Sequence, residues 1–239
     1  MVNIPVIARR ELNTYFLSLM AYVVLTLFAL ANGLGFGVMM RGPQADLNLV
    51  AATVFGWAVT LMVFGLPMIT MRLLSEEASS GTIETLLTVP VSNAEVVLGK
   101  YVGALIFTMV MLVPVVLECI YLATVGTLDL GPLASGFLGL YLLIAQFLAV
   151  GLFCSSITRI QLAAALATVV ALVGTLLVGE LVRDMESPLA KLLLYVSPPR
   201  HLDGFMKGVI DSRDLVYFVA TAALFLFLTV RVLESRRWR

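Results

Sequence analysis

The chain has few charged side chains and very few metal-binding ones. Charged residues make up 13% of the sequence, against about a quarter in soluble domains, and 61% of the residues are hydrophobic. Positive and negative charges balance, so the chain lacks the basic excess with which proteins bind nucleic acid. This composition predicts an integral membrane protein and argues against nucleic acid as a partner.

One histidine and two cysteines are too few for a disulfide framework or a common metal site. Cys119 and Cys154 lie in apolar runs, where a thiol behaves as a small hydrophobic side chain. His201 has no second ligand nearby in the sequence, so a structural hydrogen bond is its expected role. The HExxH motif and the phosphate-binding loop motif GxxxxGKS/T are both absent. We therefore expect this chain itself to have no catalytic residues and to bind no metal or cofactor.

Long apolar runs divide the chain into about six membrane spans. A helix rises about 1.5 Å per residue, so about 20 apolar residues cross a hydrocarbon core of about 30 Å. The sequence predicts an all-α membrane protein with a single transmembrane domain over residues 1–239. The predicted spans are residues 21–40, 49–71, 99–124, 132–156, 161–181 and 214–230.

Basic residues near both ends predict the orientation of the chain. Residues 3–18 carry apolar side chains at helical spacing with Arg9 and Arg10 on the opposite side, which indicates an interfacial helix rather than a signal peptide. After the last span the chain carries Arg231, Arg236, Arg237 and Arg239. By the positive-inside rule both ends are expected in the cytoplasm.

Residues 182–213 are amphipathic but contain no run long enough to cross a bilayer. Ser187 and Pro188 form a helix cap and first-turn pair, which predicts a short helix closed by Pro198 and Pro199. A second short helix is predicted from apolar residues at i, i+3, i+4 and i+7, namely Leu202, Phe205, Met206 and Val209. Both helices are expected at the outer surface or dipping partly into the membrane.

Residues 72–98 form the one long polar interruption in the first half of the chain. Ile83, Leu86 and Leu87 fall at i, i+3 and i+4, which predicts a short helix with one apolar face. Pro90 lacks an amide hydrogen and is expected to end this helix. A plain amphipathic linker on the lipid surface would show the same local pattern.

A second helix is predicted directly after this one. Ser92 and Glu95 have the spacing of a capping box, in which each side chain accepts a hydrogen bond from the other residue's backbone amide. The helix that starts there leads into the third span.

The order of residues in this polar segment resembles the cytoplasmic signature of type-2 ABC exporter permeases, and most closely the gliding-motility permease subunit and its bacterial relatives. In that family the segment is the coupling helix, which docks on a separate ATPase and transmits nucleotide-driven motion to the spans. Ala78 and Ser79 stand where relatives often carry Lys or Arg. The resemblance rests on Arg72-Leu73-Leu74, Glu76-Glu77, Ser80-Gly81-Thr82, Glu84, Leu86-Leu87-Thr88, Pro90-Val91-Ser92 and Leu98-Gly99-Lys100.

The resemblance implies the permease subunit of an ATP-driven exporter in a bacterial inner membrane, moving a lipid-like or amphipathic substrate outward. ATP and Mg are expected on the partner ATPase, which is expected in two copies. A second permease, identical or related, is expected to complete the path among the membrane lipids. The ATPase-coupling residues that the resemblance implies are Glu76, Glu77, Gly81, Thr82, Glu84, Leu86 and Leu87.

Two other functions stay open at the level of sequence. A subunit that transmits force or forms part of an envelope scaffold, driven by the same kind of ATPase, would carry the same coupling helix. An intramembrane lipid-modifying enzyme would need metal ligands, clustered acids or an activated nucleophile, and the sequence shows little sign of these.

Polar residues and prolines inside the spans are further candidates for function. Glu118 and Gln146 are candidate substrate-path residues, because an acid at the bilayer centre costs about 3 kcal/mol. Glu118 is expected near the outer interface, so a snorkelling or paired carboxylate is the alternative reading. Pro67 and Pro114 each permit a kink and are candidate hinges, or else simply tolerated bends.

Overall fold

The computed structural model of the protein describes residues 3–41, 47–80, 92–182, 187 and 193–237. All regular elements within these ranges are helices, so the predicted all-α fold is confirmed for the described chain. In chain order they are α1 (Ile4–Phe16), α2 (Leu19–Met39), α3 (Leu47–Ser79), α4 (Asn93–Met111), α5 (Val113–Val125), α6 (Leu130–Ile157), α7 (Gln161–Leu181), α8 (Pro198–Met206) and α9 (Ser212–Arg237).

The predicted spans correspond to helices that are long and apolar enough to cross a membrane. Within the described ranges there are 6 such crossings, and α4 and α5 together make one of them. The crossings are Leu19–Met39, Leu47–Ser79, Asn93–Val125, Leu130–Ile157, Gln161–Leu181 and Ser212–Ser235.

Helix α6 is the centre of the bundle. It packs most extensively against α3 and α9 and also contacts α4, α7 and α8. Glycines on its surface allow these close approaches: a Cβ at Gly136 would lie 2.8 Å from the ring of Phe55 in α3. A Cβ at Gly139 would lie 2.7 Å from the Cβ of Phe205 in α8. Small residues on α6 therefore set how deeply its neighbours can pack.

Helices α2 and α7 lie at the edge of the bundle. Only 22% of the most apolar part of α2 and 17% of that of α7 is buried within the chain. Exposed leucines on these helices, such as Leu34 and Leu166, face away from the core. In a membrane these faces meet lipid or another chain.

The helix of the second span continues beyond the predicted end of the span. We expected it to end at residue 71, but α3 continues without a break to Ser79. Arg72 and Glu76, which we placed in a polar segment after the span, are one helical turn apart on α3 and form an ion pair of 2.8 Å. We placed the boundary at residue 71 because the apolar run ends there. The ion pair between Arg72 and Glu76 lets the helix itself continue beyond that residue.

The helix around Phe205 also differs from the prediction. We predicted that Pro198 and Pro199 close the preceding helix, which the structure shows as a turn at residues 193–196. The two prolines are also the first residues of α8, where the missing amide hydrogen breaks no helical hydrogen bond. The helix ends at Met206, so Val209 lies outside it and is exposed. Ser187 lies in a bend, and Pro188 is outside the described residues.

A Schellman motif explains where α8 ends. The Val209 amide donates to the Gly204 carbonyl at 3.0 Å and the Gly208 amide to the Phe205 carbonyl at 3.2 Å. Gly208 has a φ of 84°, which is the left-handed conformation that this motif requires. The apolar spacing predicted the buried face correctly, but the glycine turns the chain back towards α9.

One face of helix α8 packs into the bundle, whereas its other face, with Arg200 and Asp203, is exposed. Leu202 and Phe205 are buried, and Phe205 contacts Gly139, about 14 Å along α6 from its first residue. That α8 dips into the membrane stays a prediction.

The two predicted hinge prolines have different settings. Pro67 is buried inside α3, and the helix continues on both sides of it. Pro114 lies in the first turn of α5, and Leu112 separates α5 from α4. The third crossing is therefore interrupted at its proline, whereas the second is not.

Replacing Gly208 tests the turn that ends α8. We expect Gly208→Ala to destabilise the protein by about 1 kcal/mol, because alanine is strained at positive φ. The new Cβ would also lie 3.3 Å from Pro132. The apparent midpoint of thermal unfolding in detergent should fall, and Gly33→Ala, at an open helical position, is the matched control. Equal midpoints for the two variants would contradict this account.

Candidate functional site

Buried charges gather at the end of the bundle where α1, the end of α3 and the start of α4 meet. The Nζ atom of Lys100 lies 2.7 Å from Glu11 Oε1 and 2.8 Å from Glu77 Oε1. The Lys100 side chain is 3% exposed, and those of Glu11 and Glu77 are 14% and 16% exposed. We call these residues the Lys100 cluster. It joins three helices through charges that are largely hidden from water.

Glycines in α4 bring α1 close enough to form the Lys100 cluster. A Cβ at Gly103 would lie 2.9 Å from the Cβ of Glu11, and a Cβ at Gly99 would lie 2.6 Å from the Cβ of Ile7. No larger residue fits at either position without moving α1. The sequence Gly99-Lys100 therefore combines close helix packing with the buried ammonium group.

The Lys100 cluster holds one positive and two negative side chains. Burying a charge is strongly unfavourable unless it is paired, and one ammonium group pairs here with two carboxylates. The second oxygen of Glu77, Oε2, is buried and has no hydrogen-bond partner among the described residues. The cluster therefore carries an excess of negative charge beside the segment that joins α3 to α4.

A second polar group ties α3 to the beginning of α2. The Nε atom of Arg72 donates to Glu76 Oε2 at 2.8 Å, and its Nη1 atom donates to Ser18 Oγ at 2.7 Å. The Tyr15 hydroxyl of α1 donates to the Ile69 carbonyl at 3.3 Å. Burial raises the pKa of Tyr15 well above its usual value, so the hydroxyl keeps its proton and remains a donor.

Ser155, near the end of α6, is inserted into the backbone hydrogen bonds of α3. Its Oγ atom accepts from the amides of Leu74 and Ser75 at 3.2 and 3.1 Å and donates to the Met71 carbonyl at 3.2 Å. A side chain inserted in this way is a recognised cause of helix bending. Ser155 was not among the candidate residues that we identified from the sequence. The sequence feature that could have pointed to Ser155 is the pair of serines, Ser155 and Ser156, at the end of an apolar helix.

The structure describes only some of the predicted coupling residues. Glu76 and Glu77 lie in the last turns of α3, where Arg72 and Lys100 already bind their carboxylates. Their role in docking an ATPase therefore stays a prediction. Gly81, Thr82, Glu84, Leu86 and Leu87 lie outside the described residues.

The capping box predicted at the start of the third crossing is confirmed. Ser92 Oγ accepts from the Glu95 amide, and the Ser92 amide donates to Glu95 Oε2, both at 3.2 Å. This cap defines the start of α4, seven residues before Lys100, and so helps to position the Lys100 cluster.

Glu118 faces another helix in the described chain. Its Oε2 atom accepts from Asn32 Nδ2 at 2.7 Å, and both side chains are buried between α5 and α2. Oδ1 of Asn32 is buried without a partner among the described residues. The sequence analysis missed Asn32. The feature that could have identified it is a polar amide side chain inside the apolar first span.

Gln146 connects α6 to the segment before α8. Its Nε2 atom donates to the Tyr217 hydroxyl at 3.3 Å, and that hydroxyl donates to the Val196 carbonyl. Gln146 is 5% exposed, so like Glu118 it lies in a contact between helices.

The structural hydrogen bonds expected of His201 are present. Its Nδ1 atom lies 2.6 Å from Asp214 Oδ1, and its Nε2 atom donates to the Tyr195 carbonyl at 2.8 Å. The ring stacks on Tyr217 with 3.9 Å between centroids. His201 therefore fixes α8 against the start of α9. Among the described residues, no group of three His, Cys, Asp or Glu side chains is arranged to hold a metal ion.

These features define a helical protein that crosses the membrane several times, with a cluster of buried charges at one end of its bundle and a short helix packed into the bundle before the last crossing. The sequence model of the family described as ABC-2 family transporter protein matches residues 6–236. The chain belongs to this family. It is a membrane component of an ABC transporter whose ATPase is a separate chain. No curated protein matches the chain at a significant level.

The Lys100 cluster can be tested by removing its ammonium group. We expect Lys100→Met to destabilise the protein by about 3 kcal/mol, because it leaves two carboxylates close together and largely buried. The measurement is thermal unfolding in detergent. Lys207→Met is the matched control, since its ion pair with Asp203 is exposed and should contribute little. A Lys100→Met variant as stable as this control would contradict the account.

The contact between Asn32 and Glu118 makes a separate prediction about stability. We expect Asn32→Leu to lower the unfolding midpoint more than Glu118→Gln does, because the first leaves a buried acid unpaired and the second keeps an amide that can bond to Asn32. Unfolding of both single variants and of the double variant, compared as a double-mutant cycle, measures the coupling. Additive effects would show that the two side chains do not interact.

Proposed function

We propose that this chain is the permease subunit of an exporter that couples ATP hydrolysis by a separate ATPase to outward movement of a lipid-like or amphipathic substrate. The observation that carries the proposal is the Lys100 cluster, which binds α1, α3 and α4 together beside the segment that resembles a coupling helix. We place it with the gliding-motility type of permease, which the order of residues 72–98 supports. Family membership supports the permease assignment, and the cluster supports a mechanical role for this end.

The proposed coupling begins in residues 72–98. Closure of the ATPase around ATP and Mg pulls on the ends of α3 and α4 that flank the docked segment. Because Lys100 binds both Glu77 and Glu11, α1 moves together with these two ends. The chain itself contributes no nucleotide site to this step, and ATP and Mg stay on the partner.

Motion then passes from α3 to α6. Ser155 bonds directly to the backbone of α3 between Met71 and Ser75, so a change in the bend of α3 displaces α6. Gln146 of α6 is linked through Tyr217 to Val196, just before α8. The proposed route therefore runs along α6 from the coupling end to the re-entrant helix.

The proposed complex contains two permease chains, identical or related, and two ATPase copies. The outward faces of α2 and α7 are available to the second permease or to lipids of a bacterial inner membrane. We propose that both ends of the chain lie in the cytoplasm, which the basic residues next to the first and last crossings support. In this orientation α8 lies on the outer side.

A force-transmitting subunit driven by the same kind of ATPase is the second candidate. It is favoured by the burial of Glu118 and Gln146, the two polar side chains predicted to line a path, in contacts between helices. ATPase turnover in reconstituted complexes separates the two functions. Stimulation by an amphipathic substrate supports export, and turnover that depends only on an envelope partner supports force transmission.

Docking on an ATPase can be tested through the apolar face of the coupling segment. We expect Leu86→Asp to reduce co-purification of the ATPase about tenfold, equal to about 1.4 kcal/mol of binding, because a carboxylate would enter an apolar contact. The tagged chain is purified in mild detergent, and the bound P-loop protein is quantified together with its turnover. Lys207→Met, at an exposed position on the opposite end, is the control. Undiminished co-purification with Leu86→Asp would refute the docking site.

A further inference from the structure

A buried histidine and an aspartate join α8 to the first turn of α9. The Nδ1 atom of His201 lies 2.6 Å from Asp214 Oδ1, and its Nε2 atom lies 2.8 Å from the Tyr195 carbonyl oxygen. The His201 side chain is 4% exposed, and that of Asp214 is 19% exposed. We call His201, Asp214 and the Tyr195 carbonyl the His201 latch. It shares no residue with the Lys100 cluster.

Both ring nitrogens of His201 face hydrogen-bond acceptors. A neutral imidazole carries a proton on one ring nitrogen only, so it can donate to one of these two oxygens but not to both. The carbonyl of Tyr195 has no proton to give. The contact with Asp214 therefore requires one further proton, carried either by Nδ1 or by the carboxyl group.

The surroundings of the latch favour the ring as the carrier of this proton. Asp214 is an acidic residue in the first turn of α9, where the helix dipole stabilises a negative charge. The ring of Tyr217 stacks on that of His201, with 3.9 Å between centroids and 15° between planes, and an aromatic face attracts a cation. The latch is therefore an imidazolium bonded to a carboxylate, and each of its two N–H groups has its own acceptor.

The other charged groups of the neighbouring elements lie beside the latch and not on the ring. Within the described ranges, Asp214 is the one residue that forms an ion pair with His201. Helix α6 reaches the latch through a neutral side chain, because Gln146 donates to the Tyr217 hydroxyl. Charged or titratable side chains line two adjoining cavities, with Tyr195, Arg213 and Tyr217 at one and Glu180, Arg200 and Asp203 at the other.

Loss of the extra proton would break the latch. Nδ1 and Asp214 Oδ1 would then face each other as two acceptors 2.6 Å apart, or the ring would have to give up its bond to Tyr195. At low pH, protonation of the carboxylate would remove the negative charge that the imidazolium pairs with. The latch is therefore closed between these two titrations and opens on either side of them.

The two ends of α8 are held by different contacts. Near its last residue, Ser135 Oγ of α6 lies 2.7 Å from the Phe205 carbonyl oxygen. Its first turn is held through His201, one turn before Phe205. Opening the latch would therefore free the first turn of α8 while its last turn stays attached to α6.

We propose that the His201 latch is a proton-dependent switch, which holds the first turn of α8 against α9 and releases it as the pH rises. The proton passes from Nδ1 to water, which reaches the partly exposed carboxylate of Asp214. The switch rests on the proposed function only for the side of the membrane whose pH acts on it. On the proposed route from α6 through Tyr217, an open latch would uncouple α8 from the rest of the bundle.

The protonation of the ring can be observed directly, because the chain contains one histidine. The full chain is labelled with ¹⁵N-histidine, purified in detergent through a tag without histidine, and studied by NMR in the absence of any ATPase. We expect both ring nitrogens to carry a proton at about pH 7.5, where a free imidazole, with a pKa of about 6.5, is mostly neutral. A ring nitrogen without a proton at that pH would overturn the proposal.

Asp214→Asn separates a proton switch from a purely structural contact. The asparagine amide can donate to Nδ1 while Nε2 donates to Tyr195, so a neutral ring keeps both bonds. Because the unchanged protein releases its extra proton, its unfolding midpoint should fall by about 4 °C from about pH 7 to about pH 9, relative to this variant. Asp203→Asn removes an exposed carboxylate of α8 and is the matched control, which should follow the unchanged protein. Identical pH profiles for all three proteins would contradict the switch.

Hydrogen exchange measures the release of α8 itself. After correction for the intrinsic effect of pH on exchange, protection of the amides of residues 201–204 should fall about tenfold over the same pH range in the unchanged protein and in Asp203→Asn. It should persist in Asp214→Asn. Constant protection in the unchanged protein would overturn the release of α8. These measurements use the chain without an ATPase, so failure of ATPase docking would affect none of them.

Discussion

A lysine that is almost completely buried controls the arrangement of one end of this protein. An ammonium group loses several kcal/mol of hydration on burial, so Lys100 can occupy its place only while carboxylates stay within bonding distance. Glu11 and Glu77 meet this requirement from two different helices. Any movement that separates α1, α3 and α4 therefore exposes an unpaired charge to an apolar environment. These helix ends should move as a unit, as the proposed coupling role requires.

The centre of the bundle is held together by close helix packing and hydrogen bonds and not by buried ion pairs. Helix α6 binds its neighbours through small residues and through Ser155, which substitutes for part of the backbone bonding of α3. Helix packing in a membrane gains little from hydrophobicity, because lipid is as apolar as the helices, so close approach and hydrogen bonds dominate. The Ser155 side chain enters α3 between Met71 and Ser75, and an insertion of this kind is a recognised cause of helix bending. Pro67, the hinge suggested by sequence, lies inside an uninterrupted helix.

Much of the architecture could be predicted from sequence. Span number, the amphipathic N-terminal helix and the capping box at Ser92 all depend on residues that are close together in the chain. The end of α3 was misplaced because the ion pair of Arg72 and Glu76 extends a helix beyond its apolar run. The end of α8 was misplaced because the left-handed turn at Gly208 stops a helix whose apolar spacing continues to Val209.

The pairings within the candidate site could not be predicted from the sequence, although the residues themselves can be read from it. Lys100 belongs to the family signature, but nothing in the sequence indicates that it pairs with Glu11, 89 positions away. The same is true of Asn32 and Glu118, which are 86 positions apart. Sequence by itself determined the membrane class, the spans and the family, because hydropathy, helical spacing and motifs are properties of neighbouring residues. Only the tertiary structure decided which charges meet, since this depends on how separate helices pack against one another.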